Sequence, residues 1–251
     1  MGQNLSDMVK VKYGIFSDIH SNMEALAATL MDMYTQGVTH PVCLGDIVGY
    51  NASPQECVRL VRELNCPVIK GNHDEIVAGV SEGRNFNALA GEGVMYSKKR
   101  LSQEEKEFLH DLPYSMRIAG FTVVHASLDD PARWNYVTSS LEAQSSFMYQ
   151  NTQLCFCGHT HIPKIFVKDR EVREIPRCDK LELKKSSRYL INVGAVGQPR
   201  DRDWRASYVI FTPGQNMVEF RRVPYNLDLA QRKILRSGLP EPLAIRIEIG
   251  A

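Results

Sequence analysis

The chain has 251 residues, 43% of them hydrophobic, and its 30 basic and 29 acidic residues leave a formal net charge of +1. That is enough apolar material for a sizeable core without disulfides, and too little basic bias for the electrostatic footprint of a nucleic-acid binder. Six irregularly spaced cysteines predict free thiols in a cytoplasmic protein, and no apolar run approaches the length of a membrane span.

The opening MGQNLS fits the bare pattern for N-myristoylation, with Ser6 four residues after Gly2. The plainer expectation is a polar leader over residues 1–8. VKVKYGIF (9–16) alternates and then turns continuously apolar, which predicts a buried strand ending before Ser17. After the polar loop SDIHSN comes a helix with Met23, Leu26, Ala27, Leu30 and Tyr34 on its apolar face, Asn22 as N-cap and Gly37 as stop. HPVCLGD reads as a short buried strand, SPQECVRLVREL as a helix capped by Ser53 with Pro54 at its first position, and PVIKGNHDE as a strand followed by a polar loop. Strands alternating with helices predict a largely parallel sheet. Functional groups in such sheets gather beyond the carboxyl ends of the strands.

Residues 81–112 are helical by propensity. After Pro113 the texture changes: YSMRIAG and FTVVHAS form two strands joined at Gly120, and QLCFCGHTH, KIFVKD, SRYLINVG, RASYVIFT and NMVEFRRV follow as further strands. This strand-rich half supplies a second sheet. LDLAQRKILRSGLP closes as a helix stopped by Gly238 and Pro240. Without a repeat or long linker, the expectation is one α/β domain over residues 1–251.

Five of the seven histidines stand in short polar stretches directly after predicted strands: His20, His73, His125, His159 and His161. Asp18, Asp46, Asn72 and Asp74 accompany them. The segment CFCGHTH (155–161) packs two cysteines and two histidines into seven positions, which taken alone suggests a local zinc site. The wider set of imidazoles and carboxylates is too large for one tetrahedral zinc and suits two divalent transition metals. Cys155 and Cys157, two apart on a strand, share one face, and buried free cysteine packs as a small hydrophobe. Trp134 either lines a substrate cleft or packs in the core or a lid.

Taken in order, Asp18-Ile-His20, Gly45-Asp46-Ile-Val-Gly49, Gly71-Asn72-His73-Asp74, His125 and Gly158-His159-Thr160-His161 resemble the calcineurin-like metallophosphoesterase superfamily. GDIVGYN, NVGAVGQPRD and SGLPEPLA extend the likeness to its small bacterial and archaeal phosphodiesterase-like branch, over residues 10 to 248. The resemblance implies a four-layer fold, a two-sheet β-sandwich flanked by helices. It also implies two divalent metal ions (Mn, Fe, Zn, Ni or Mg, with Mn favoured) bridged by Asp46. The first would take Asp18, His20 and His161, and the second Asn72, His125 and His159.

Such a pair lowers the pKa of a water between the ions and neutralises charge on phosphoryl oxygens, so the implied activity is hydrolysis of phosphodiesters or nucleotide polyphosphates by a bridging hydroxide. His73 matches the family's non-ligand catalytic histidine, Asp74 would orient its ring, and Arg200 would clamp phosphate or pair with Asp201 or Asp203. The implied partner is a small phosphoester or nucleotide, with no nucleic acid and no membrane; an oligomer interface is not legible. Protein phosphatases of the superfamily continue their second motif as G-D-x-x-D-R-G, whereas this chain has GDIVGYN. That sets the serine/threonine phosphatase reading second. A non-catalytic metal-binding scaffold is the other alternative, disfavoured by the complete ligand set.

Overall fold

The computed structural model describes residues 11–82 and 86–251. The expected leader, Gly2 and the first residues of the VKVKYGIF strand lie outside the described residues.

Two sheets form the frame. In the first, β1 (Tyr13–Phe16) lies parallel to β2 (His40–Cys43) and antiparallel to β10 (Ala206–Thr212), beyond which come β11 (Met217–Val223) and the edge strand β8 (Lys180–Glu182). The second runs in the order β3 (Ser115–Ile118), β4 (Phe121–Val124), β5 (Leu154–Cys157), β9 (Arg188–Asn192), β6 (Lys164–Lys168), β7 (Val172–Ile175). Alternation along each strand sorts side chains between two faces. Tyr13 and Ile15 of β1 meet Phe121, Phe156 and Ile191 in a core between the sheets. Phe16, from the other face, packs with Tyr208 and Ile210 under the helices α1 (Met23–Thr35), α2 (Pro54–Glu63), α7 (Leu227–Arg236) and α8 (Glu241–Ile249). On the far side, Val124, Phe166 and Leu190 pack against Ala143 and Phe147 of α6 (Ser140–Tyr149). The result is the expected two-sheet sandwich flanked by helices, with three apolar layers.

Several expectations need correction. The sheets are mixed rather than largely parallel: among the described residues six strand pairings are antiparallel, three of them hairpins of consecutive strands, and only β1–β2, β4–β5 and β5–β9 pair in parallel, besides a single parallel bridge from Cys43 to Val68. The buried stripe of α1 is Ala25, Leu26, Thr29 and Met33, while Tyr34 is 81% exposed. That helix is apolar on most sides, so periodicity does not fix which face turns inward. Asn22 caps it as expected, accepting from Ala25 N at 3.0 Å. Ser53 occupies the N-cap position of α2 but makes no capping hydrogen bond. GNHDE is not a loop: α3 (Asn72–Ala78) starts at Asn72. It is followed by α4 (Ala88–Arg100) and α5 (Gln103–Asp111). β7 and β8, charged and half-exposed edge strands, carry no apolar alternation to announce them. The chain does not close with α7, since α8 follows the Gly238–Pro240 break.

This topology gathers the strand ends that matter. β1 delivers Asp18, β2 delivers Asp46, the Cys43–Val68 bridge leads into α3, β4 ends just before His125, and β5 ends before His159.

Candidate metal centre

The seven expected ligand residues converge at that edge, and all are nearly or fully buried: Asn72, at 8% exposure, is the most open. Two groups form there with ligand atoms within 4.8 Å of one another: Asp18, His20, Asp46 and His161, and Asp46, His125 and His159. Asp46 belongs to both. Its Oδ1 accepts from His73 N at 2.9 Å, while its Oδ2 lies 3.5 Å from His20 Nε2 and 3.4 Å from His125 Nε2. Asp18 is held similarly, accepting from His159 N at 3.0 Å through Oδ2 and leaving Oδ1 3.3 Å from His161 Nε2.

The backbone is bent to make this possible. Asp18, His20, Asp46, His159 and His161 all have φ between 47° and 67°. The left-handed region costs a non-glycine residue about 1 kcal/mol or more, and such strain persists where the surroundings over-determine it. At Gly49 (φ 99°) a Cβ would lie 2.2 Å from His73 Nδ1, and at Gly71 one would lie 2.1 Å from Asp46 Oδ1. The glycines of GDIVG and GNHD thus leave room for the centre itself.

Hydrogen bonds fix the imidazole tautomers. The Nδ1 of His20 lies 3.0 Å from Val48 O, that of His125 2.8 Å from Leu44 O, and that of His161 2.6 Å from Gln198 O. A carbonyl oxygen only accepts, so each Nδ1 donates and a neutral ring presents a bare lone pair at Nε2. His20 Nε2 and His161 Nε2 then face each other at 3.0 Å. Two lone pairs at that distance repel unless a cation lies between them. His125 Nε2, His159 Nε2, Asn72 Oδ1 and Asp18 Oδ1 are also buried without a hydrogen-bond partner. Buried polar atoms are normally paired; Asp18, His125 and His159 fall with the two facing rings in the two close groups, and Asn72 lines the cavity beside His159, so the residues fit divalent cations. Imidazole nitrogen, carboxylate and amide oxygen make a donor set suited to first-row transition metals.

The electrostatics agree in direction. Burial pushes the Asp18 carboxyl up, but the surrounding His161, His125 and His20 rings hold it well below the carboxylate range. Burial, and then the charge of its neighbours, keeps His20 and His161 below the ordinary histidine value, and His159 is pushed down to about 3. His125 is the exception: burial opposes its charge, but Asp46 raises it to about 9. Metal binding through its Nε2 would displace that proton.

His73 stands beside the cluster, its ring 4.6 Å from His20, 4.7 Å from Tyr50 and 4.7 Å from Phe86, with Nδ1 unpartnered. Burial first, and then His161 and Arg200, keep the ring neutral, which suits hydrogen bonding to a phosphoryl oxygen. Asp74 does not contact that ring. Its carboxylate accepts from Ile47 N, Val48 N and Gly71 N at 2.9, 3.3 and 3.0 Å. It therefore ties the Asp46 loop to the start of α3 and does not orient His73. Arg200 makes no ion pair with Asp201 or Asp203; its Nη2 donates to Tyr50 Oη and Gln198 Oε1, both at 3.1 Å. Those two aspartates pair instead with Arg177, Arg205 and Arg222.

CFCGHTH divides at its middle. The histidines enter the cluster, whereas Cys155 and Cys157 pack in the apolar layer under α6. All six cysteines are free, and burial raises the thiol of Cys157 to about 12.

Beside the cluster opens a cavity of about 290 Å³ lined by Asn72, His73, His159, Phe86, Trp134 and Tyr136, among others. Trp134 thus lines the cleft. Tyr136, stacked on His159 at 4.2 Å, together with Phe86 and Tyr50, escaped the sequence reading. Their only signals were position: Tyr50 directly follows GDIVG, and Tyr136 lies two residues after Trp134.

A family model described as the calcineurin-like phosphoesterase superfamily domain matches residues 11–216. The uncharacterized protein MJ0912 of Methanocaldococcus jannaschii is 40% identical over 247 residues, covering 97% of this chain and 100% of the relative. A crystal structure of a metallophosphoesterase from Sphaerobacter thermophilus superimposes with a TM-score of 0.85 at 38% identity, over 96% of this chain and 99% of that one. The hypothetical protein PH1004 of Pyrococcus horikoshii OT3 shares the fold, with a TM-score of 0.77 at 18% identity over 96% and 99% of the two chains.

Proposed function

Since the chain belongs to the calcineurin-like phosphoesterase superfamily, we propose that it is a phosphoric ester hydrolase that uses two divalent cations on phosphodiesters or nucleotide polyphosphates. The observation that carries this reading is the facing pair His20 Nε2 and His161 Nε2, with both Nδ1 atoms committed to carbonyl oxygens. When bound, two cations supply Lewis acidity and an activated water. Asp18, His20 and His161 would hold one and Asn72, His125 and His159 the other, with Asp46 shared. Mn²⁺ is the ion we expect first for this donor set.

The protein's own groups do the rest. His73 would hydrogen-bond a phosphoryl oxygen and accompany the leaving group. Phe86, Trp134 and Tyr136 give the adjoining cavity aromatic walls, which favours an ester bearing a planar group. The free thiols support a cytoplasmic setting, and among the described residues no helix is long and apolar enough to cross a membrane.

The test is hydrolysis of bis(4-nitrophenyl) phosphate by protein stripped of metal and reloaded with Mn²⁺. Turnover should appear only on reloading. Its absence with Mn²⁺, Fe²⁺, Zn²⁺, Ni²⁺ and Mg²⁺ alike would refute the reading.

A further inference from the structure

Residues 217–251 lie beyond the matched family domain, yet they reach the candidate centre. In α8, Leu243, Ala244 and Ile247 are buried against the helical layer, which turns Arg246 toward Tyr50. The helix ends at Gly250 (φ 65°), whose carbonyl accepts from Arg202 N at 2.9 Å. The end of α8 is therefore pinned to the loop that carries Arg200. Arg246 Nε donates to Ala251 O at 2.8 Å, leaving its terminal nitrogens free of any hydrogen bond.

The Arg200 guanidinium carbon lies 5.6 Å from the centre of the Tyr50 ring and that of Arg246 5.9 Å. The two cations are close enough that Arg200, after burial, lowers the pKa of Arg246. Neither has an aspartate or glutamate side chain within ion-pair distance among the described residues, and Arg200 Nε is buried without a partner. Elsewhere the fold neutralises its arginines when they are gathered this way: Arg222 and Arg177 share Asp201, and Arg221 has both Asp32 and Glu219. Two half-buried guanidiniums held on one tyrosine without an acidic side chain repel each other, and that ring lies 4.7 Å from both His20 and His73.

We propose that Arg200 and Arg246, both packed on Tyr50, form a subsite for a second phosphate group of the substrate, outside the group being hydrolysed. This rests on the phosphoesterase reading and narrows it to esters with a further anionic phosphate, such as nucleoside polyphosphates. Guanidinium is suited to the task because its fork matches phosphate oxygens, and charge-assisted hydrogen bonds are the strong ones.

The test is calorimetric titration of the full-length, metal-loaded protein with inorganic pyrophosphate and with orthophosphate. Arg246→Gln should weaken pyrophosphate binding about tenfold relative to orthophosphate, the scale of one lost charged hydrogen bond. Arg246→Lys should recover part of the loss. Arg200→Gln provides the same comparison for the other guanidinium, and melting curves establish that each variant is folded. An equal loss for both anions, or no loss, would overturn the subsite. A wild-type protein that shows the Arg246-dependent preference but hydrolyses no ester would refute the phosphoesterase reading and leave the anion subsite standing.

Discussion

Around Asp46, the half of the centre made by Asp18, His20 and His161 is closed on every side, with exposures of 0–2%, whereas His159 and Asn72 of the other half reach 5% and 8% and line the cavity. The closed half is also the better fastened. Both of its imidazoles are tied through Nδ1 to main-chain carbonyls. In the open half only His125 is so tied; the His159 ring has no hydrogen bond and is steadied by stacking on Tyr136. One carboxylate thus joins a preorganised pocket to an adaptable one. Preorganised ligands cost less to order on binding, so the closed half should hold its cation more tightly while the open half meets substrate.

The most severe way to break this asymmetry is to remove the shared group. Asp46→Ala should abolish binding of both ions, measured by elemental analysis, and lower turnover roughly a thousandfold, the scale of several kcal/mol of lost electrostatic stabilisation. Single ligands should separate the halves. His159→Ala should keep about one ion per chain and lose activity on the order of 100-fold, restored in part by excess Mn²⁺, while His161→Ala should not be rescued at the same concentration. Equal rescue of the two variants would remove the distinction.

A smaller effect concerns the hinge between the halves. Asp74→Ala leaves the N–H groups of Ile47, Val48 and Gly71 without their acceptor. It should cost about 2–4 kcal/mol in denaturant melts and weaken metal binding through the Asp46 loop. If Asp74 instead served His73 alone, stability would be unchanged and only turnover would fall.

The smallest effect provides a reference outside the centre. Partial burial of Asp32 on α1 raises its carboxyl, but hydrogen bonds from Arg221 and Tyr208 outweigh this and hold it below the usual range. A depressed carboxylate contributes stability above its unfolded pKa and loses it as pH falls through the folded value. The melting-temperature gap between wild type and Arg221→Gln should therefore be constant above about pH 5 and narrow below about pH 4. A gap independent of pH would mean that the pair contributes through packing alone.

These two regions also mark what the sequence can and cannot announce. His20, His125, His159 and His161 are visible because each follows an apolar strand and the motifs recur in order. The left-handed backbone at His20, His159 and His161 is not visible, since histidine enters that conformation more often than most residues but still only in a minority of cases. Asp74 reads as a partner of its neighbour His73, but the chain folds so that three distant or preceding N–H groups reach it first. Arg246 is one arginine in a short helix with apolar residues on several sides, and only the docking of Gly250 on the Arg202 loop gives it a place. The inward face of α1 is legible only in part, with Leu26 buried and Met23 and Leu30 packed on the core but Tyr34 exposed, because apolar residues surround that helix, whereas the burial of Cys155 and Cys157 follows directly from strand alternation.

The central claim is that two unequal halves share Asp46. Its most direct test is titration of metal-free protein with Mn²⁺, followed by electron paramagnetic resonance. The account predicts two successive binding steps, a single-ion signal after the first and an exchange-coupled signal after the second, with turnover appearing at the second. Saturation at one ion per chain, or two ions that remain magnetically isolated, would contradict it.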